Sequence, residues 1–415
     1  MTAYDSYMNS EWASSLDSLE GVPDLFEPRI RRETSPRWQR HGHDTLSWIG
    51  TILPGIALAA ILAYVGKLLA DWIGIGVLHF DSDKGSPISP ILLAIVLGLL
   101  IRNTIGVPVT YEKGLRLALK TILRIGIVLL GLKLTISAVS DIGKVGIPII
   151  LVTITTALLT VTLINRALGL PKRLGTLIAV GTSICGVSAI VATAPAIDAE
   201  EDETSYAVAC ITLFGLIALF TYPFLAHWLF PHLLDARYLD KSAGLFLGTA
   251  IHDTSQVAGA GLMYKQQFLS EEALKTATAV KLMRNLSMGL LIPLMAVLYH
   301  RSAGGARRAR QPWHQIVPLF VIGFALMVCL RSIGDRGGEH PFGILSVGRW
   351  NNICHAADNA AVWCLTVAMA AVGLGTGLAK LTKLGIKPLS VGFAAALLVG
   401  AVSTILIKFL VPLML

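Results

Sequence analysis

His252, Asp253, Thr254, Ser255 and Gln256 form one unbroken polar run inside "FLGTAIHDTSQVAGAG", residues 246–261 of an apolar stretch. Five consecutive polar side chains cannot all face hydrocarbon. A carboxylate at such depth marks a pathway or pairs with another charge, and an imidazole can titrate near neutral pH and so carry a proton. Basic partners lie nearby in sequence: "ATAVKLMRNLSMG" places Lys281 and Arg284 three residues apart on one helical face, with Asn285 adjoining. That pair either faces a cavity or Asp253, or anchors the helix at an interface. A second run, "AVGTSICGVSAIVATAP" (179–195), echoes the first. Gly181–Thr182 matches Gly248–Thr249, Ile184 matches Ile251, and Ser188 matches Ser255. Glycine disfavours helix and hydroxyls can satisfy freed backbone groups, so both runs predict interrupted helices lining a cavity. Packing through small residues would explain the glycines but not His252, Asp253 and Gln256.

The elements that must position these residues are membrane helices. The 415 residues are 54% hydrophobic and 14% charged, against about 25% charged in soluble domains, and mean hydropathy is +0.68. Eleven apolar stretches fall near 47–69, 88–106, 115–136, 146–168, 174–195, 205–230, 243–262, 277–300, 314–331, 357–378 and 388–412. With the N-terminus inside, cytoplasmic segments hold 20 Lys and Arg residues and outside segments 7, as the positive-inside rule expects. That distribution accounts for the net charge of +8 and removes nucleic acid as its explanation. Residues 1–45 lack a secretory apolar core and read as a disordered cytoplasmic tail, leaving 46–415 as the transmembrane domain. Five cysteines show no metal-ligand spacing and read as free thiols. No zinc constellation or phosphate loop is present, and Ser255 with His252 is only a loose nucleophile–base candidate. An enzyme, a metal centre and a cofactor are therefore not expected.

A longer repeat joins the two ends of the domain. "GLKLTISAVSDIGKVGIPIILV" from Gly131 aligns with "GLGTGLAKLTKLGIKPLSVGFA" from Gly373, and Gly143 meets Gly385 without a gap. Seven spans separate the copies, so they are inverted, as in many secondary transporters. The same parity makes spans five and seven run in one sense if span six is complete, so they need not be inverted mates of each other. The expected fold is an all-α polytopic membrane protein of about eleven transmembrane helices, with inverted repeats, two interrupted helices and an N-in/C-out orientation.

The blocks "GTSICGVSAIVATAPAI", "SYAVACITLFGLIALFTYPFLAHWL", "GLFLGTAIHDTSQVAGAG" and "ATAVKLMRNL" resemble the signature blocks of the YeiH-type sulfate-exporter family of bacterial inner-membrane proteins. The similarity runs from about residue 50 to the end. It implies a multi-pass secondary transporter of a small inorganic or sulfonate anion, such as sulfate or sulfite, working outward with H+ or Na+ as coupling ion. The N-terminal tail and the insert 334–358 depart from the pattern. Combined with the residue reading, the resemblance places the substrate among Thr182, Ser183, Cys185, Gly186, Thr249, Thr254, Ser255, Gln256, Lys281 and Arg284. Hydroxyls and backbone N–H groups would donate to the anion, the basic pair would offset its charge, and His252 and Asp253 would gate or couple protons. The alternative is a cation/proton antiporter using Asp253. The bilayer is the expected environment, and a homo-oligomer is left open.

Overall fold

A bilayer offers no water to backbone amides, so a spanning segment must satisfy them internally, and each apolar stretch does so as helix. The computed structural model describes residues 37–73, 89–302, 319–337, 340–377 and 386–414, which contain no strand. The helices are α1 (Arg37–Asp71), α2 (Pro90–Thr104), α3 (Val109–Leu117), α4 (Leu123–Leu130), α5 (Ile136–Ala167), α6 (Lys172–Ser183), α7 (Val187–Thr193) and α8 (Glu201–Leu229). They continue as α9 (Leu239–Ala250), α10 (Thr254–Phe268), α11 (Glu271–Leu286), α12 (Met288–Ser302), α13 (Leu319–Arg336), α14 (Val347–Gly375) and α15 (Ile386–Met414). Among the described residues, six helical stretches are long and apolar enough to cross a membrane, lying largely within α1, α5, α8, α11–α12, α14 and α15. Shorter pieces occupy the other expected stretches. Leu151, Leu159 and Leu163 of α5 are exposed, as are Ile405 and Phe409 of α15. Such surfaces suit lipid, not water.

Local signals set the ends. Ser89 caps α2 with Pro90 in its first turn, and Thr135, Ser270 and Ser346 cap α5, α11 and α14 through side-chain acceptors. A reciprocal box of Glu200 and Glu203 starts α8. Of the expected tail, residues 1–36 lie outside the described residues, and α1 already begins at Arg37.

Contacts divide the helices into two groups. One is α1 to α4 with α13 and α14; the other is α5 to α11 with α15. In the first, a Cβ on Gly373 would lie 2.3 Å from the Ile95 carbonyl oxygen, so glycine there lets α14 press against α2. Helices α4 and α14 are antiparallel: Leu119, in the π-turn before α4, reaches Gly375, while Gly126 meets Ala361, Cys364 and Leu365. Antiparallel packing is what the inverted Gly131 and Gly373 copies require. The helices that follow them, α5 and α15, also pack on each other. Asp358, at the end of the insert 334–358, and Glu271, at the start of α11, both pair with Lys133 and Lys265 and so join the groups; the Lys133–Asp358 distance is 2.6 Å.

The two interrupted segments turn back on themselves. Arg173, at the foot of α6, is 3.3 Å from Glu200 at the start of α8. Twenty-seven residues of continuous helix would separate those positions by roughly 40 Å. In the second segment, α9 runs with α11, because Gly244 faces Ala273 and Thr276 while Gly248 faces Ala277 and Val280. Helix α10 runs against α11: Thr254 bonds Asn285 and Gly261 faces Leu274. The arms are therefore antiparallel. The second hairpin has its foot at the other end of α8, where His227 stacks on Phe268 at 3.7 Å and Phe230 meets Phe246 at 5.9 Å. The hairpins thus enter from opposite ends of α8 and are inverted relative to each other. This departs from the parity reading, which assumed that both segments cross, and it exchanges the sides assigned to residues 198–203 and 230–241. The basic segments after spans two, four, eight and ten keep theirs.

Candidate functional site

The hairpin tips carry the sequence echo into three dimensions. The first arms end with Ile184 and Ile251 as C-caps, and the second arms start with Gly186 and Asp253 as N-caps. Both pairs are in register with Gly181–Gly248. Gly186 has φ +75°, a conformation that favours glycine. A Cβ there would lie 2.9 Å from Asp253 Oδ2 and 3.1 Å from its Cα. The two tips therefore touch through a glycine on one side and a carboxylate on the other.

Asp253 caps α10. Its Oδ1 accepts from the Ser255 backbone N–H at 2.8 Å and from the Ser255 hydroxyl. The C-terminal ends of α6 and α9 present the opposite need, because their last carbonyls have no partner within the helix and form the negative end of its dipole. Helix α11 supplies that partner. Lys281 Nζ donates to the carbonyls of Ile184 and Ile251, each at 3.1 Å, and to that of His252. Arg284 donates through Nε to Ser183 O at 2.7 Å, through Nη1 to Thr249 O at 2.6 Å, and through Nη2 to Thr182 O. Each cation bridges equivalent carbonyls of the two hairpins: Ile184 with Ile251, and Thr182 with Thr249.

Lys281 is 1% exposed and Arg284 fully buried, so the reading of the pair as an interfacial anchor is overturned. They do not pair with Asp253 either; both turn to neutral carbonyls. The three N–H groups of Lys281 are all taken, whereas Arg284 keeps two of its five.

The hydroxyls behave differently from expectation. Thr182 donates to Ile178 O at 2.8 Å, Ser183 to Ala179 O at 2.6 Å and Thr249 to Leu245 O at 2.7 Å. In an apolar interior the carbonyl one turn back is the nearest acceptor. Thr249 also meets Ser403 of α15 at 2.6 Å, a partner with no signal in the sequence. Thr254 accepts from Asn285 Nδ2 at 3.2 Å, Gln256 Nε2 donates to Thr212 O at 3.3 Å, and Cys185 Sγ lies 3.6 Å from Met288 Sδ. Three buried polar atoms close to the tips lack a hydrogen-bond partner: His252 Nδ1, Gln256 Oε1 and Asn285 Oδ1. The structure thus brings all twelve expected residues to one junction between α6–α7, α9–α10 and α11, and it adds the tip carbonyls as the acceptors of the basic pair. Among the described residues no cluster of three metal-binding side chains occurs.

The family described as "Conserved hypothetical protein 698" matches residues 54–392. The chain is 33% identical over 362 residues to UPF0324 membrane protein Atu0671 of Agrobacterium fabrum, covering 86% of this chain and 93% of that protein. It is 32% identical over 362 residues to UPF0324 inner membrane protein YeiH of Salmonella typhimurium, covering 84% and 92%. For YeiH of Escherichia coli the identity is 30% over 340 residues, covering 81% and 88%. These names give the membrane and carry no substrate. This chain belongs to the UPF0324 family and is a multi-pass protein of the inner membrane.

Proposed function

We propose that this chain is a secondary transporter carrying a small oxyanion, of the sulfate, sulfite or sulfonate class, through the junction of the two hairpin tips. One observation carries the reading. Two buried cations, Lys281 and Arg284, share that junction with a single buried carboxylate, Asp253, which pairs with neither. A buried surplus of positive charge is costly unless it is offset, and an anionic cargo offsets it. The two unspent N–H groups of Arg284 and the positive N-terminal end of α10 supply donors for it.

Hairpins entering from opposite ends suit alternating access, in which a mid-membrane site opens to each side in turn. The same geometry weighs against the cation/proton antiporter. The carbonyls a free cation would seek are covered by Lys281 and Arg284, and Asp253 is engaged as a cap. The outward direction comes from the family resemblance. His252, buried beside the cap carboxylate with Nδ1 unpartnered, is the group we assign to proton coupling.

Purified protein in proteoliposomes on a solid-supported membrane tests this. Saturable charge movement with sulfate, sulfite or taurine, absent from Arg284→Ala, is expected. A response to sodium or a pH step alone, lost in Asp253→Asn, would replace the proposal with cation/proton antiport.

A further inference from the structure

Interrupted membrane helices expose two kinds of polar end. The N-terminal ends take anions, and the C-terminal ends, with unwound carbonyls, commonly take a coupling sodium ion or proton. Here the C-terminal ends of α6 and α9 converge, and every carbonyl of Thr182, Ser183, Ile184, Thr249, Ile251 and His252 already faces a cationic N–H. The acceptors around Lys281 Nζ are three neutral carbonyl oxygens drawn from both tips, a donor set suited to a monovalent cation. The ammonium is delivered by α11, which packs along both arms of the second hairpin.

We infer that Lys281 is a tethered cation that stands where a free coupling cation would otherwise bind, so that the two tips close on each other without sodium. Arg284 does the same for the carbonyls one and two residues back, those of Ser183, Thr182 and Thr249. A captured ion must be drawn from solution each time the tips close; a lysine on a packed helix is always at hand. Lys281 is therefore a positioning residue. It holds both tips through their carbonyls and leaves the anion to Arg284 and the α10 end. The inference deepens the transport reading, and rests on it for its meaning, by specifying which coupling ion that transport does without.

Cys185 reports on tip closure, being buried at the first tip. Full-length protein in nanodiscs is pulsed with a maleimide in choline, sodium, potassium or ammonium chloride, and labelling of Cys185 is read by peptide mass spectrometry. Wild type should label slowly and equally in all four salts. Lys281→Ala in choline should label at least about tenfold faster, since local opening governs reactivity, and ammonium or sodium should restore protection by filling the vacated cage. Lys281→Met fills the space without charge and should stay open in every salt; Lys281→Arg should stay closed.

Sodium-dependent protection of the wild type would overturn the inference. So would a Lys281→Ala protein that is protected in choline, or one that opens and answers to no cation. If Lys281→Ala does not fold, the wild-type salt series together with Lys281→Arg decides, and sodium-dependent closure of either overturns it. No transported substrate enters this experiment. Its failure leaves the anion reading standing, and silence in the transport assay leaves this inference standing.

Discussion

The two hairpins are alike in sequence and unlike in charge. Each ends its first arm on Gly-Thr-x-Ile, places that isoleucine as C-cap and gives up its last carbonyls to the same two basic residues of α11. They differ at the next cap, where the first hairpin has Gly186 and the second Asp253. Two carboxylates facing each other would repel, and a side chain at 186 would collide with the one at 253. One charge and one gap let the tips meet. The shared features are a scaffold that cations hold together, and the unshared position makes the site polar in one direction. A second, partly exposed cluster shows the other way to accommodate such charges. Lys133 and Lys265 face Asp358 and Glu271 there, two cations on two carboxylates, so that network is neutral and has no need of a ligand.

Several experiments would break or sharpen the comparison of hairpins. The largest effect is topological. Single cysteines at Ala167 and Asp202, in a background without native cysteines, should label from one side of the membrane, and those at Ala236 and Glu272 from the other. Labelling of Ala167→Cys and Asp202→Cys from opposite sides would mean that the first hairpin crosses. Arg284→Gln strips the fork from Thr182, Ser183 and Thr249 carbonyls. Each buried carbonyl left without a donor costs about 1–3 kcal/mol, so a loss on the order of 3 kcal/mol or more is expected, read by denaturation in bicelles, with transport abolished.

Gly186→Ala combines a left-handed backbone cost of about 1–2 kcal/mol with the clash against Asp253. Adding Asp253→Gly should recover the clash alone, a coupling of about 1 kcal/mol in a double-mutant cycle; strict additivity would show that the tips do not touch. Asp253→Asn keeps the shape and most of the cap, costing under about 1 kcal/mol. By deleting the one opposing charge it should tighten the half-saturating anion concentration by up to about tenfold, and a weakening would reverse the sign of the argument. Arg173→Gln removes an exposed ion pair at the foot of the first hairpin; no measurable change in melting temperature is expected.

Much of the site was legible from the chain. The Gly-Thr echo picked out both interrupted segments, because a loss of helix is a local event written in glycine and hydroxyl content; the capping residues came from the structure. The depth of Asp253 followed from hydropathy, whereas the burial of Lys281 and Arg284, left open between a cavity and an interface, came from the structure. The acceptors of the basic pair were not legible, since every residue carries a carbonyl and only the end of a helix exposes it. The hydroxyls of Thr182, Ser183 and Thr249 were read as donors to cargo, yet each found a carbonyl in its own preceding turn. Thr249 with Ser403 joins residues 154 apart, which no spacing signals.

The sequence by itself determined that this is a helical membrane protein, which two of its segments are interrupted, and that Asp253 lies too deep for lipid. Those properties depend on windows of about twenty residues and on the cost of burying polar groups. Only the tertiary structure decided that the interrupted segments turn back from opposite ends, and that Lys281 and Arg284 hold both tips by their carbonyls. A hairpin and a crossing helix have the same hydropathy. What separates them is the partner against which each arm packs: Ala273 and Ala277 for the arm that runs with α11, Leu274 and Asn285 for the arm that returns.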